Sequence, residues 1–323
     1  MLPEFIENVA PNVRRLVCPM GKAGSVNGWI IGSGATLIVD GGVPGAEASA
    51  RWDQAEQADV VGAVEAILCT HMHRDHSGQI PRLVARHGVP LLMTEAEHRK
   101  VVAASEASTE QRQTDLTSFL IRQGVAPAEA RSTAPPDYSV LASFPRDYQP
   151  LDDGMTVTIA GRAWRVLTGG GHSSKGACLI SEDGQLMVAG DQILGGTGPH
   201  ITVGLDEPEA DLLSAYFDFL GRLADLPDTM LVLPGHGSAF RSLPAHALAL
   251  RKGHQRRLDR LKARLDGAMS CTEMAPLVFT QQAMRHFGYL VPGMALSLAN
   301  HLWHRGELQR HEDDDGVWRF ASA

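Results

Sequence analysis

A cluster of four metal-binding side chains lies within six residues of the chain: His71, His73, Asp75 and His76. An apolar run over residues 64–69 precedes the cluster and predicts a buried strand. If the chain stays extended, His71 and His73 point to the same side, because side chains alternate along a strand. Asp75 and His76 then fall at the turn into a helix. Imidazole and carboxylate ligands suit zinc, and also iron, cobalt or manganese, so this loop predicts a metal site.

Three further junctions between a strand-like run and a loop each deliver a ligand-type residue: His172, Asp191 and His236. A catalytic zinc needs about three protein ligands and an open position, and two metals need more ligands than one loop supplies. Glycines flank these junctions and let the backbone approach a metal or a substrate closely. The chain therefore carries enough ligands for two neighbouring metals.

The HxHxDH pattern at 71–76, followed in order by the three later residues, resembles the metallo-β-lactamase-fold hydrolases over about the first 240 residues. The resemblance implies a first metal held by His71, His73 and His172. It implies a second metal held by Asp75, His76 and His236, with Asp191 bridging both. The expected cofactors are two divalent ions, Zn²⁺ in the first place, with iron or manganese as in other branches. No member of the ligand set is missing or replaced.

The elements that position these residues follow an α/β pattern. Strands are predicted at 13–18, 27–31, 36–40, 155–160, 163–168, 177–180 and 185–189. The later ones are spaced as hairpins, and alternating strands and helices occupy the motif loops. Two packed sheets with helices outside are indicated, which agrees with the αββα sandwich that the resemblance implies. We predict a catalytic domain over residues 1–244. The resemblance implies that the Asp40-Gly41-Gly42 turn lies near the site and is structural.

Residues 245–323 change character and are predicted to form a second domain. A long helix, further helical segments and a short hairpin are similar to the winged-helix-like domain of one branch of the family, the glyoxalase II and β-lactamase-like protein 2 type. That branch includes thioester hydrolases and a relative with ribonuclease activity. The predicted hairpin carries four consecutive acidic residues at 312–315, whose negative charge makes it poorly suited to bind nucleic-acid phosphates. We interpret the module as structural, contributing to packing, the site wall or dimerisation.

The segment at 95–150 is long for a connection between a strand and the next element. Two interpretations remain open: an inserted helical lid over the site, or a dimerisation arm or other surface elaboration. Tyr138 and Tyr148 in this segment, and His200 in a glycine-rich stretch after the bridging aspartate, are the candidates for substrate contact. The histidines at 87, 98, 246 and 254 lie in charged helix-like stretches and are predicted to face solvent.

Composition restricts the class of protein. The 323 residues carry a net charge of −8, which argues against a general nucleic-acid binder. The four cysteines, at 18, 69, 178 and 271, form no CxxC pair, and those at 69 and 178 are predicted to be small buried hydrophobes. No stretch approaches the length of a membrane span, and the N-terminus has no basic region. We expect a cytoplasmic protein, with a homodimer as an open option.

The predicted chemistry is hydrolysis. Two metals about 3.5–4 Å apart share a water and lower its pKa, and the bridging hydroxide attacks a carbonyl carbon or a phosphorus. Asp75 and Asp191 are the expected catalytic carboxylates, which orient the hydroxide and move its proton. The expected substrate is a small-molecule thioester or ester of the acyl-CoA or acyl-glutathione type. The C-terminal resemblance and the long 95–150 segment favour a thioester.

Three alternatives differ in kind. A lactonase or β-lactamase predicts a small pocket and a tyrosine at the site. A metal-dependent endoribonuclease or phosphodiesterase predicts a basic groove, against which the acidic balance counts. The third alternative is a non-catalytic, metal-stabilised binding or redox scaffold. A flavin-binding partner domain would favour this interpretation, and the chain has no room for one.

Overall fold

The computed structural model describes residues 2–323, and of Lys22 only the backbone. The strands are β1 (Ile6–Ala10), β2 (Val13–Pro19), β3 (Ser25–Ile31), β4 (Ala35–Val39), β5 (Ala63–Leu68), β6 (Leu91–Met93), β7 (Gln149–Pro150), β8 (Thr156–Ile159), β9 (Arg162–Gly169), β10 (Gly176–Ser181), β11 (Leu186–Gly190), β12 (Leu231–Pro234), β13 (Leu308–Glu312) and β14 (Trp318–Ser322). The α-helices are α1 (Ala46–Gln57), α2 (Arg74–Ser77), α3 (Ile80–His87), α4 (Glu95–Glu106), α5 (Thr109–Arg122), α6 (Pro127–Ser132), α7 (Leu212–Arg222), α8 (Leu243–Arg264), α9 (Cys271–Val278), α10 (Gln281–Phe287) and α11 (Val291–His304). Short 3₁₀ helices cover Gly21–Ala23, Ser139–Leu141 and Gly288–Leu290.

Two compact units divide the chain. The first contains the residues up to Glu106, together with Tyr138–Pro199 and Arg222–Ala247. The second contains Ala107–Asp137, His200–Gly221 and Leu248–Ala323. The boundary at 244/245 and the lid over 95–150 stay predictions, as do the cytoplasmic location and the homodimer. Within the described chain, no helix has both the length and the apolar character that crossing a membrane requires.

The first unit is built on two β-sheets. One has seven strands in the order β1-β2-β3-β4-β5-β6-β7, and the other has five in the order β12-β11-β10-β9-β8. β4, β5 and β6 run parallel, as do β11 and β12, while β9 and β11 are both antiparallel to β10. Hence β9, β11 and β12 share one direction, and their carboxyl ends lie at the same edge of the five-stranded sheet.

The central strands of the seven-stranded sheet are buried on both faces. In β4, Leu37 and Val39 pack with residues of the five-stranded sheet such as Trp164, whereas Ile38 joins a second core cluster. That second cluster includes Trp52 of α1, together with residues of α3 and α4. Period-two alternation therefore places one core between the sheets and another under the helices, which explains why these strands are continuously apolar. The predicted α/β sandwich of two packed sheets is present.

The cysteines follow the prediction made for them. All four are free and buried, which confirms the interpretation of Cys69 and Cys178 as small buried hydrophobes. Burial raises the pKa of the Cys69 thiol well above its usual value, with the nearby charges of Asp40 and Glu97 acting in the same direction. A thiol in that state is packing and not a nucleophile.

The second unit contains mainly helices. Its C-terminal part has α9, α10 and α11 in succession, followed by an antiparallel hairpin in which Arg310 pairs with Phe320. Ser270 begins α9 with a capping box closed by Glu273, and Thr280 caps α10 through the backbone N–H of Ala283. The expected sequence of helices and a final hairpin is observed, and the winged-helix assignment itself stays a prediction.

Candidate metal centre

Five strand ends deliver the polar residues of the site in the first unit. Each polar residue follows the carboxyl end of a strand: Asp40 after β4, the 71–76 loop after β5, His172 after β9, Asp191 after β11 and His236 after β12. Because parallel strands end at one edge, the topology gathers these residues without any long-range bend in the backbone.

Backbone hydrogen bonds join the two sheets at this edge. The N–H of Ala177 donates to the carbonyl of Thr70 over 2.8 Å, which ties the β10 side to the 71–76 loop. The N–H of Asn27 donates to Gly235 over 2.8 Å, and the N–H of Gly235 donates to Gly190 over 2.7 Å. The loops that carry the site are therefore fixed by main-chain contacts, independently of any bound ion.

Three histidines form the first group of ligand atoms. His73 Nδ1 lies 2.9 Å from His71 Nε2 and 3.0 Å from His172 Nε2. His71 and His172 are buried. Burial lowers the pKa of both His71 and His73, and for His71 the neighbouring histidines add to the effect. Neutral imidazoles at this spacing are suited to share one cation.

A second group contains Asp75, His76 and His236, and Asp191 lies next to both groups. Asp75 Oδ2 is 3.6 Å from His76 Nε2 and 3.2 Å from His236 Nε2. Asp191 is 3.4 Å from His172, 3.4 Å from His76 and 3.3 Å from His236. The two groups contain the residues of the ligand sets that the resemblance implied, and a third group joins Asp191 to His71 and His76. The ligand roles, including the bridging role of Asp191, stay predictions.

Hydrogen bonds behind the site fix which nitrogen of each imidazole carries the proton. His236 Nδ1 lies 2.7 Å from the backbone carbonyl of Ser25, which can only accept, so Nδ1 donates. His76 Nδ1 donates in the same way to the Asp40 carboxylate over 2.8 Å. Both rings therefore direct Nε2 toward the site, where it is the nitrogen that would bind a metal.

His71 is oriented through a relay that starts at Asp40. The Thr70 hydroxyl donates to Asp40 Oδ2 over 2.9 Å, so its oxygen accepts from His71 Nδ1 at 3.0 Å. The Thr70 N–H donates to the other oxygen of Asp40 over 2.8 Å. Asp40 reaches this position with φ of 56°, a left-handed conformation that Asp adopts more readily than most residues. One buried carboxylate thus orients two candidate ligands.

The arrangement fits metal ions because imidazole nitrogens and carboxylate oxygens converge on the same buried space. The Nε2 atoms of His76 and His236 face carboxylate oxygens of Asp75 and Asp191. Within residues 2–323, His76 Nε2 and Asp191 Oδ1 are buried and have no hydrogen-bond partner. Buried polar atoms without partners are costly, and a divalent ion satisfies both.

The pKa values show the same demand for positive charge. Burial would lower the pKa of His236, but the carboxylates of Asp191 and Asp75 outweigh it and raise the pKa to about 10. Burial is likewise outweighed at His76, where Asp191, Asp40 and Asp75 raise the pKa well above its usual value. Asp191 has its own pKa held well below the usual range, against the effect of burial. The buried carboxylates therefore favour positive charge at the position where a metal would bind.

Two glycines permit this density of side chains. A Cβ at Gly235 would lie 2.1 Å from Asp191 Oδ1 and 2.5 Å from His76 Cε1. A Cβ at Gly190 would lie 2.7 Å from the hydroxyl of Thr70, and its φ of 50° also disfavours a side chain. The close backbone approach that flanking glycines predicted is present at both positions.

Sequence reasoning missed the partners that orient the ligands. Asp40 was interpreted as a structural turn residue, although it follows an apolar strand in the same way as Asp191. Thr70 was not considered. Glu97, in a charged helical stretch, gave no signal of its own, yet it is completely buried and hydrogen-bonded to two loops of the site.

The three predicted substrate contacts lie in different surroundings. Tyr138 belongs to the core cluster under the helices, and Tyr148 stacks on His98 with ring centroids 3.8 Å apart. His200 lies in the second unit, where its Nδ1 is 2.9 Å from the Thr202 hydroxyl. Their contact with a substrate stays a prediction.

The expectation that the histidines of the helix-like stretches face solvent was wrong for two of them. His98 is buried and donates from Nε2 to the carbonyl of Pro145 over 2.8 Å. His254 is buried against the rings of Tyr216 and Phe217. Both lie on the inward side of their helices, which the charged neighbours in the sequence concealed.

Comparison with known proteins identifies the family. A sequence model described as the Metallo-beta-lactamase superfamily matches residues 21–236, two thirds of the chain. The chain belongs to the metallo-beta-lactamase superfamily. A second model, described as Metallo-beta-lactamase-like, C-terminal domain, matches residues 258–323. The predicted family and fold class are confirmed, and so is a metal-dependent hydrolase at the level of the superfamily.

Similar proteins cover most of the chain. A Beta-lactamase domain protein from Burkholderia ambifaria is 31% identical with a TM-score of 0.84, over 100% of this chain and 95% of its own. A metallo-beta-lactamase family protein from Thermus thermophilus shares the fold, with a TM-score of 0.78, 23% identity, and coverage of 98% of this chain and 100% of its own. Atrochrysone carboxyl ACP thioesterase from Emericella nidulans is 24% identical over 76% of this chain. The match covers 62% of the fungal protein, so this chain spans less than two thirds of that relative's length.

Proposed function

We propose that this protein is a dinuclear metal-dependent hydrolase of thioesters. The observation that carries the metal centre is the convergence of imidazole nitrogens and ionised carboxylates on one buried region, where His76 Nε2 and Asp191 Oδ1 have no hydrogen-bond partner among residues 2–323. The proposed ligands are His71, His73 and His172 for one ion, Asp75, His76 and His236 for the other, and Asp191 for both. With five imidazole nitrogens and two carboxylates, the set suits Zn²⁺.

Two metal ions, when bound, polarise the acyl carbonyl and lower the pKa of a water to near neutral. The chain's own residues supply orientation and proton transfer. The side chain of Asp75 is 20% exposed, whereas that of Asp191 is 6% exposed. Asp75 is therefore the carboxylate that solvent and substrate can reach, and it would orient the attacking water by accepting a hydrogen bond, while the proton released from that water would pass to the departing thiolate. Asp191 stays ionised and keeps the imidazoles of His76 and His236 oriented toward the site.

The thioester as substrate class is supported by relatives and not by the geometry of the metal centre. Fungal relatives similar over three quarters of this chain carry the name Atrochrysone carboxyl ACP thioesterase. An acyl-CoA, acyl-glutathione or acyl-carrier thioester presents an electrophilic carbonyl and a good leaving group, which the proposed centre would attack without a covalent enzyme intermediate. A C-terminal domain model of the superfamily matches residues 258–323, the region whose resemblance to the branch with thioester hydrolases favoured this substrate class.

The test combines metal content with a substrate panel. Elemental mass spectrometry on the purified full chain should find about two metals per chain. Acyl-CoA, acyl-glutathione, aryl ester, lactone, β-lactam and phosphodiester substrates are then compared, with and without a chelator. Thioester turnover that the chelator abolishes and Zn²⁺ restores supports the proposal.

A matched pair of variants sharpens the test. His73→Ala should lose metal and activity together, whereas His87→Ala, outside the ligand set, should keep both. Chelator-sensitive turnover of phosphodiesters or β-lactams alone would reject the thioester and keep the metal centre. Full metal content and rate in His73→Ala would reject the ligand assignment.

A further inference from the structure

Glu97 is a buried carboxylate that binds two loops of the candidate metal centre at once. Its Oε2 accepts from the backbone N–H of Met72 over 3.0 Å, and its Oε1 accepts from the backbone N–H of Lys175 over 2.8 Å. Glu97 has no exposed surface. It lies in the first turn of α4, a helix that supplies none of the proposed ligands.

Thr94, just before α4, completes the grip on the second loop. Its hydroxyl donates to the backbone carbonyl of Lys175 over 2.8 Å and accepts from the N–H of Glu97 over 3.4 Å. Both backbone groups of Lys175 are therefore held by side chains at the start of this helix. Thr94 is 1% exposed, so water does not compete for these bonds.

The two loops carry all three members of the three-histidine group, and the first loop also carries Asp75 and His76 beyond that group. Met72 separates His71 from His73, and Lys175 lies three residues after His172. In the second group, Asp40 orients His76, as it also orients His71 through Thr70, and the carbonyl of Ser25 orients His236, whereas Glu97 contacts the loops only beside the three histidines. From this division we infer that Glu97 is a positioning residue for one of the two metals only, the ion of His71, His73 and His172. This inference rests on the proposed metal centre.

The charge of Glu97 matters as well as its shape. A carboxylate accepts at both oxygens, so it can hold two N–H donors that come from separate loops. In Glu97→Gln the side chain keeps its size, but its NH₂ group faces one of the two N–H groups, and that donor loses its partner. A buried donor without an acceptor is expelled or pairs elsewhere, which moves its loop. The loop carries a ligand with it.

The experiment measures metal stoichiometry in the full chain at increasing chelator concentration, by elemental mass spectrometry after equilibrium dialysis. Glu97→Gln should lower the affinity of one metal by about 10–100-fold and leave the other unchanged, giving one metal per chain where the unmodified protein keeps two. Glu95→Gln is the matched control, because Glu95 lies in the same turn, is exposed, and undergoes the same change of charge. It should keep both metals.

A second pair of variants covers the case in which Glu97→Gln does not fold. Thr94→Val removes the bond to the Lys175 carbonyl, together with the longer bond from the Glu97 N–H, and should weaken the same single metal. Thr94→Ser retains a hydroxyl and should keep the affinity of the unmodified protein. Two metals of unchanged affinity in Glu97→Gln or Thr94→Val would overturn the inference and leave the proposed function standing. Equal loss of both metals would also overturn it, because the role would then be general stability. An unmodified protein without metal would reject both proposals.

Discussion

Gly235→Ala adds one methyl group at the point where the candidate metal centre is most crowded. The new Cβ would lie 2.1 Å from Asp191 Oδ1 and 2.5 Å from His76 Cε1, both side-chain atoms of proposed ligands. The φ of Gly235 lies outside the left-handed region, so alanine carries no backbone penalty there. The substitution therefore acts on the ligands alone.

The size of the effect follows from these distances. An ordinary contact for a Cβ begins near 3.4 Å, so the Asp191 oxygen must retreat by about 1.3 Å and the His76 carbon by about 0.9 Å. Zinc bonds to oxygen and nitrogen are about 2.0–2.2 Å long, so displacements of this size break them. Because changes to supporting residues alone cost about 10–100-fold in metal affinity, we expect Gly235→Ala to lose at least about 100-fold.

We would measure the loss of metal affinity as the metal that each sample retains after dialysis against increasing chelator concentrations. Thioester turnover is measured on the same samples. Gly195→Ala is the control, since a Cβ there meets only Phe240 at 3.9 Å and its φ is also outside the left-handed region. It should keep metal and rate. If Gly235→Ala kept both metals at unchanged affinity, Asp191 and His76 would not be ligands, and the argument from buried lone pairs would be wrong.

Two further predictions concern Asp40 and His254. Asp40→Asn keeps a residue that tolerates φ of 56°, but its NH₂ group would face the His76 Nδ1 proton or the Thr70 donors. Metal affinity, measured by competition titration, should therefore fall about 10–100-fold. An unchanged affinity would show that Asp40 does not set the His76 tautomer. Burial, with Arg257 acting in the same direction, lowers the pKa of His254 to about 3 from 6.5, so the unfolded chain takes up a proton that the folded chain refuses as the pH falls below 6.5. Between pH 7 and pH 5, His254 should therefore lower the free energy of unfolding by about 2 kcal/mol. His254→Gln should remove that part of the pH dependence when unfolding is measured in urea. Parallel pH profiles for the variant and the unmodified protein would contradict the prediction.

The ligands could be predicted from the sequence because they follow a local rule. Each one comes directly after an apolar strand, so the strand pattern and the residue type identify it together. Glu97 obeys no such rule: its neighbours on α4 are charged, and its burial depends on where the helix packs against the sheet. His98, the next residue, was misjudged for the same reason. The sequence of a helix shows its composition, but tertiary packing decides which face of the helix is buried.

The charges that this molecule buries would link its folding to metal binding. Asp40, Glu97 and Asp191 are buried in one region of the first unit, and His76 and His236 direct Nε2 toward the carboxylate of Asp191. Buried carboxylates that are not fully compensated oppose folding. Without metal, protonation of His76 and His236 supplies part of the missing charge, in line with the raised pKa values of the two imidazoles. The two proposed divalent ions would supply the rest and bind the folded chain, so that a free metal concentration of about 1,000 times Kd would add about 4 kcal/mol of stability per site. The carboxylates that orient the candidate ligands would then make the stability of the protein, as well as its chemistry, depend on bound metal.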